Sequence, residues 1–353
     1  MSPLAQTSYI LPLTVIRRKR ALPIPGQVLV RQGQRVEPQT VVLQANLTPE
    51  HVLLNVAAGL GVPAAKATSW MQCHPGERLT QGDMIAASPK GLFQKVFRSP
   101  CDGKVMLVRG GMVLVEKEKE PTSLPAIYPG AVVDVVENND VIIESSGALI
   151  ECAWGNGKAT AGVLRIAMNA ADTVLQARDM DVSWRGAVVV SGTCKSVDVF
   201  STGAETGIRG LVMGSMPPAM IPAAQKAPFP VLLTDGFGTQ GMNLAAYELL
   251  STSAERDVCL NGQPYHFHEG LRPEVFLPLP ATKNLLPPAP REYAPEDLVR
   301  VITPPHRGMT GHILRILPDA KAYPGGALAP SAQIRLPDGT QVILPLANIQ
   351  LLR

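Results

Sequence analysis

Ala187-Val188-Val189-Val190-Ser191-Gly192-Thr193 is the stretch whose reading decides the fold. Four apolar residues run without a polar interruption, so the strand has no face to offer water. It fits a parallel sheet covered on both sides. Two similar runs follow, Gly210-Leu211-Val212-Met213 and Pro230-Val231-Leu232-Leu233. The stretches between them can form helices near 195–205 and 217–226. Gly241-Met242-Asn243-Leu244-Ala245-Ala246-Tyr247-Glu248-Leu249-Leu250 makes a third, amphipathic helix. The order is βαβαβα, which predicts a small parallel sheet with right-handed crossovers over residues 181–276. The unit is too short for a full dinucleotide fold, and no Gly-x-Gly-x-x-Gly turn follows its first strand.

In such a sheet, ligands bind outside the carboxyl ends of the strands. Those ends read Ser191-Gly192-Thr193, Gly214-Ser215-Met216 and Thr234-Asp235-Gly236. Hydroxyls and backbone N–H groups at helix starts suit an anion. Ser191, Thr193, Ser215, Thr234, Asp235 and Gly236 are therefore the candidate ligand set, with a phosphate-bearing small molecule as the ligand class. Turns at strand ends favour the same residues without any ligand. The sequence places no His, Lys or Arg among the three loops, so no catalytic residue is assigned. Tyr265-His266-Phe267-His268-Glu269 is the densest metal-capable cluster. His266 and His268 share a face if extended, but two imidazoles are a partial ligand set. No metal and no cofactor is expected.

Outward from the sheet, composition favours short β elements. Among 353 residues, 33 are proline and 31 glycine, while only 5% are aromatic. Such a chain holds two to four domains joined by tight turns. The net charge of +3 is small for a nucleic-acid protein. The compact basic run, Arg17-Arg18-Lys19-Arg20, reads as a solvated strand end or turn, with a phosphate-binding patch as the alternative. The five cysteines are scattered and form no Cys-x-x-Cys pair. That disfavours a disulfide framework or zinc site and suits a reducing cytoplasm. No signal-peptide order and no transmembrane segment is expected.

Residues 121–180 return to strand character, and Trp154-Gly155-Asn156-Gly157-Lys158 reads as a hairpin turn. Residues 1–120 contain an internal echo. Val28-Leu29-Val30-Arg31-Gln32-Gly33-Gln34-Arg35-Val36 is matched by Met71-Gln72-Cys73-His74-Pro75-Gly76-Glu77-Arg78-Leu79, and each is followed by a second strand. Between them, residues 48–61 predict a short helix, with Thr48 as cap, Pro49 at the first position and Gly61 as the stop. The set resembles the barrel-sandwich hybrid fold of biotinyl and lipoyl carrier domains, and of subunits of Rnf-type electron-transport complexes. Carrier domains modify a lysine on a hairpin. Neither Lys90 nor Lys95 stands in such a context, so no carried cofactor is implied.

Residues 277–295 form a proline-rich linker centred on Pro287-Pro288-Ala289-Pro290. Beyond it, Leu298-Val299-Arg300-Val301-Ile302 leads through His306-Arg307-Gly308-Met309-Thr310-Gly311 into His312-Ile313-Leu314-Arg315-Ile316. This resembles a KOW motif, the SH3-like barrel unit of some ribosomal and transcription-elongation proteins. Two strands about Asp338-Gly339 complete a barrel over 296–353. In that family the loop at the paired glycines faces RNA or a protein. The resemblance thus implies His306, Arg307, Gly308 and Gly311 as partner-binding residues.

The chain accordingly reads as a multi-domain, β-rich α/β protein. Its expected role is a non-catalytic cytoplasmic scaffold or adaptor with a protein partner or RNA, linked to transcription or translation through the KOW resemblance. A small-molecule-binding protein or enzyme using the strand-end rim is one alternative. An accessory subunit of a redox or membrane complex is the other.

Overall fold

The computed structural model describes residues 5–22, 24–45, 50–89, 94–117, 121–136, 140–264, 271–280, 286, 288–289, 291–324 and 326–353. Thr48, Pro49, Lys90, the cluster 265–269, and Pro287 and Pro290 of the linker lie outside these residues. The protein is β-rich, with several sheets and few, short helices.

The largest sheet has twelve strands. At its heart, Ala159–Ile166, Ala187–Cys194, Gly210–Met216 and Val231–Phe237 run parallel to one another. Every residue of Ala187–Cys194 and of Gly210–Met216 is buried. Alternate side chains enter two different cores. Val188, Val190, Val212 and Leu232 meet helix Leu244–Ser251 through Ala246 and Leu250. Val189, Leu211, Met213 and Leu233 meet helices Asp198–Thr206 and Ile221–Lys226 on the other side. Burial of both faces is what the uninterrupted apolar runs require.

The parallel strands are not a sheet of their own. Ala159–Ile166 continues antiparallel into Asp257–Asn261, then Glu274–Pro278, then the twelve-residue strand Asp140–Glu151. Strand Ile10–Ala21 lies along that long strand from Ala21 opposite Asp140 to Ile10 opposite Ile150. Pairing therefore crosses the boundaries expected at residues 120 and 180. The reason is burial: most of Asp140–Glu151 is covered, so both its backbone edges need partners.

The basic run falls within Ile10–Ala21, and its members are matched one by one. Arg17 meets Glu144 at 2.8 Å, Arg18 meets Glu274 at 2.6 Å and Lys19 meets Asp140 at 2.7 Å. Arg20 donates to the carbonyl of Pro125. The run thus lies at a strand end, as expected, with Arg17 and Lys19 exposed, but three of its charges are matched by acids of the same chain. The expected hairpin at Trp154–Lys158 also differs. Trp154–Gly155 pairs with Val231–Phe237 at the far edge of the sheet. Asn156 drives this placement, donating to the carbonyls of Ala224 and Phe229 and accepting from the N–H of Val231.

Residues 50–117 form an inserted β unit with a core of its own around Val56, Ile85, Val105, Val113 and Val115. Its entry and exit run side by side. Strand Val41–Ala45 pairs with Thr122–Pro125 just outside it, and His51–Asn55 pairs with Met112–Lys117 just inside. The helix expected over 48–61 is in part a strand. Val52 and Leu54 alternate inward against Val115 and Val113, and helix Val56–Leu60 begins only at the Asn55 cap. Gly61 ends it in the left-handed conformation, as the stop signal requires.

Six strands make the C-terminal sheet: Thr7–Ser8, Ile349–Leu352, Leu298–Val301, Thr310–Ile316, Ser331–Arg335 and Gln341–Pro345. Thr7–Ser8 lies parallel to Ile349–Leu352, so the beginning and end of the described chain are joined. Two residues of the linker lie against this junction, where Tyr9 donates to Pro288 and Arg353 donates to Ala289.

The long strand sets a strict test. A Cβ on Gly147 would lie 2.1 Å from the Leu277 carbonyl and 2.8 Å from the Phe276 ring. Gly147→Ala is expected to cost about 2 kcal/mol or more, since backbone must separate to admit the methyl. Urea unfolding followed by circular dichroism should show a lower midpoint. An unchanged midpoint refutes the role given to this contact.

Candidate functional site

Ser191, Thr193, Ser215, Thr234 and Asp235 are brought together at the carboxyl ends of the parallel strands, but all are buried. Each is held by the protein itself. Ser191 donates to Ala167 and Thr193 donates to the Ser215 carbonyl. Ser215 donates to the Gln240 carbonyl, which folds over it. Gly214 permits that approach, because its Cβ position lies 2.3 Å from the Met242 nitrogen. Gly236 is buried in the same rim, with φ at +96°.

Asp235 is the centre of the rim. Its carboxylate accepts from the Thr234 hydroxyl at 2.7 Å and from the Asn243 backbone N–H at 2.9 Å. The Asn243 amide adds bonds at 3.0 and 3.1 Å. The last partner comes from the C-terminal sheet. Arg300 donates to Asp235 at 3.2 Å and to the Thr234 carbonyl, while its other nitrogen reaches Gln350 at 2.6 Å. Both side chains of the ion pair are only 2% exposed. The rim expected to receive a ligand instead receives an arginine of the same chain.

Arg300 was legible as a strand residue but not as a site residue, and Gln350 was not singled out at all. Val299 and Val301 point into the core of the C-terminal sheet, so alternation puts Arg300 on its outer face. An outer face usually meets water. Here it meets the parallel sheet, and Gln350, paired directly with Arg300, is buried beside it. The Nε of Arg300 is buried with no hydrogen-bond partner among the described residues.

The loop holding His306, Arg307 and Gly308 lies against the same rim. Gly308, with φ at +85°, would bring a Cβ to 3.2 Å from the Gln240 side chain. The Arg307 guanidinium sits 5.5 Å above the Phe237 ring, and Phe237 meets Trp154 edge-on. His306 is half-buried and Arg307 exposed. Gly311 is buried within a strand, where a side chain would strike the Arg335 carbonyl at 2.7 Å. It serves strand packing rather than contact with a partner.

A second buried network ties Ile10–Ala21 to the main sheet. Arg18 grips Glu274 with two parallel hydrogen bonds, 2.8 and 2.6 Å, and the buried Tyr128 hydroxyl donates to the same carboxylate at 2.5 Å. Burial and the Glu274 charge push the Tyr128 phenol well up. Glu151 stands directly opposite Glu274 across the strands. Burial pushes the Glu151 carboxyl up from 4.5 to about 7, against the pull of the Tyr9 N–H and of Arg272 at 3.8 Å. The neighbouring Glu274 charge adds to the rise.

The open space near the sheet lies elsewhere. A cleft of about 540 Å³ adjoins the ends of Val174–Leu175 and Ala187–Cys194 and is lined by Gln176, Arg178, Lys195, Ser196 and Asp198. Among the described residues, no group of three His, Cys, Asp or Glu side chains could hold a metal ion. His266 and His268 lie outside them. Cys152, Cys194 and Cys259 are buried, and burial pushes their thiols up, away from nucleophilic thiolates. Lys95 donates to the carbonyl of Leu60 and closes a short helix. No protein-family model matches the chain, and no curated protein matches it in sequence.

Two outcomes follow from the buried charges. Arg300→Met strands the Asp235 carboxylate and is expected to cost about 3 kcal/mol or more, with part regained in Arg300→Met/Asp235→Asn. Chemical denaturation of the three variants checks this, and equal losses in single and double variants refute it. For Glu151, a folded pKa above the unfolded value means stability is lost as pH rises from 4.5 to about 7. Glu151→Gln should be more stable than the parent above pH 7, by up to about 3 kcal/mol, and equal to it near pH 4. A pH series of urea midpoints without this divergence overturns the assignment.

Proposed function

We propose that this chain is a non-catalytic scaffold or adaptor whose β units engage a protein partner. The observation that carries this reading is the closed rim. The polar groups best placed to hold a substrate are satisfied by Arg300, Asn243 and the Gln240 carbonyl. A buried charge pair with these partners is an arrangement for joining two sheets, not for turning over a ligand. The resemblance of residues 296–353 to a KOW unit agrees with a binding role and links it to transcription or translation.

A protein is favoured over RNA as the partner of the C-terminal unit. Residues 291–353 hold seven Lys/Arg and five Asp/Glu. Of those cations, Arg291 pairs with Asp297, Arg300 is buried, and Arg315 is bonded to Gln333. The net excess over 291–353 is only two positive charges, thin for phosphates, each of which needs its own cation. A second reading, a phosphate-bearing small molecule, rests on the cleft at Arg178 and Lys195.

Affinity purification of the tagged chain from its host, with and without RNase, tests the proposal. A stoichiometric protein retained after RNase is expected. Loss of all partners on RNase treatment transfers the role to RNA. A panel of nucleotides and sugar phosphates is expected to leave the melting temperature unchanged. Binding at a hundredfold excess over Kd would add about 2.7 kcal/mol, a shift readily seen, and would favour the second reading.

A further inference from the structure

The inserted unit carries a surface that the closed rim does not explain. Strands His51–Asn55, Met112–Lys117 and Gly103–Arg109 lie side by side. Their inner face, with Val52, Leu54, Val113, Val115 and Val105, fills the unit's core. On the outer face Leu53 is opposite Leu114, and Leu114 is opposite Leu107. The three leucines form a row across the sheet. Leu53 is 62% exposed and Leu107 51%.

A β-bulge builds this row. The register of Gly103–Arg109 shifts between Val105 and Leu107. Val105 points into the core, and simple alternation would send Leu107 there too. The extra residue, Met106, turns Leu107 outward, so that Met106 and Leu107 are both exposed. Bulges re-aim side chains in this way and concentrate near functional surfaces. Met112, two residues from Leu114 on the same strand face, extends the row.

Charge points to the occupant. Residues 50–117 contain eight Lys/Arg and five Asp/Glu, which equals the whole chain's formal +3; the rest of the chain is balanced. Lys104 and Arg109 stand exposed at the two ends of the strand that carries Met106 and Leu107; Glu116 lies opposite Lys104 in the register, while Arg109 faces Met112 and no acid. The acid on this face, Glu116, is 3.6 Å from His51.

We propose that this outer face docks an amphipathic segment of a partner protein, apolar along one side and rich in Asp or Glu along its flanks. The leucine row would receive the apolar side, and Lys104 and Arg109 the acids. A second copy of this chain is disfavoured, since like charges would meet across the contact. A lipid surface is disfavoured because the three leucines of the row stand within their strands rather than at loop tips. The assignment rests on the adaptor reading and specifies where it acts.

The test uses the full chain and two fluorescein-labelled synthetic helical peptides, each with leucines along one face. One has glutamates on its flanks and the other lysines. Fluorescence anisotropy should show binding of the glutamate peptide and little of the lysine peptide. Leu53→Ser/Leu107→Ser should weaken binding about tenfold or more, as loss of two buried leucine contacts requires. Both sites are exposed, so the fold should survive, as an unchanged melting curve will show. Lys104→Glu/Arg109→Glu should reverse the preference towards the lysine peptide, an outcome that misfolding cannot imitate. Equal affinity for the two peptides, or indifference to the leucine changes, overturns the proposal. So does binding to phosphatidylserine-containing vesicles in place of the peptide, or a dimer that Leu53→Ser/Leu107→Ser dissolves. Peptide failure alongside an RNase-resistant protein partner would discard this surface and leave the adaptor reading standing.

Discussion

The antiparallel pairing of Ile10–Ala21 with Asp140–Glu151 is the contact on which the rest of the molecule depends. It brings strand Ile10–Ala21 to the middle of the chain and leaves the opposite edge of the long strand for two further neighbours. Gly130–Val136 takes one half of that edge and Glu274–Pro278 the other. Through Glu274–Pro278 and Asp257–Asn261 the order passes to the parallel strands. The Arg18–Glu274 clasp fixes this point from within, and Tyr128 closes over it. Removing water from these groups is tolerable because both oxygens of the Glu274 carboxylate find a donor.

The second join differs in kind. Where the first relies on backbone ladders, the C-terminal sheet meets the parallel strands through Arg300, Asp235 and Gln350. Such a pair contributes little net stability against an apolar substitute, but it tolerates almost no misplacement. It therefore defines the angle at which the two sheets meet. The stacking of Arg307 on Phe237 adds a contact at the rim of the same junction. The inserted unit is tied in neither way. It is held by the paired connections on each side of it, and its core is its own.

How much could be read in advance follows from range. Three of the four parallel strands and the three helices were legible, because continuous apolar runs and helical periodicity act locally; Ala159–Ile166, the fourth, was not read. Helix Asp198–Thr206 ends where Gly207 adopts a left-handed conformation, as a glycine stop signals. The Asp-Gly turn before Thr340 is equally local. The hidden part was long-range. Nothing near Arg17–Arg20 reveals that Glu144, Glu274 and Asp140 will lie opposite. The strand His51–Asn55 was mistaken for helix because Val52, Val56 and Leu60 repeat with a helical period, while the β pairing that overrides it comes from residues sixty positions away. The rim was located correctly in the fold, yet its closure depends on Arg300, whose neighbours in sequence give no hint that its outer face is covered.

The parallel pairing of Thr7–Ser8 with Ile349–Leu352 bears on how the protein is made. A ribosome adds about 5–20 residues each second, so on the order of half a minute separates the emergence of the two strands. Throughout that interval the leading strand's partner does not exist. The adjoining strand Ile10–Ala21 is in the same position until Asp140–Glu151 emerges. Strands Thr7–Ser8 and Ile10–Ala21 therefore wait for partners made later, whereas the inserted unit, whose core lies within residues 50–117, needs none of them.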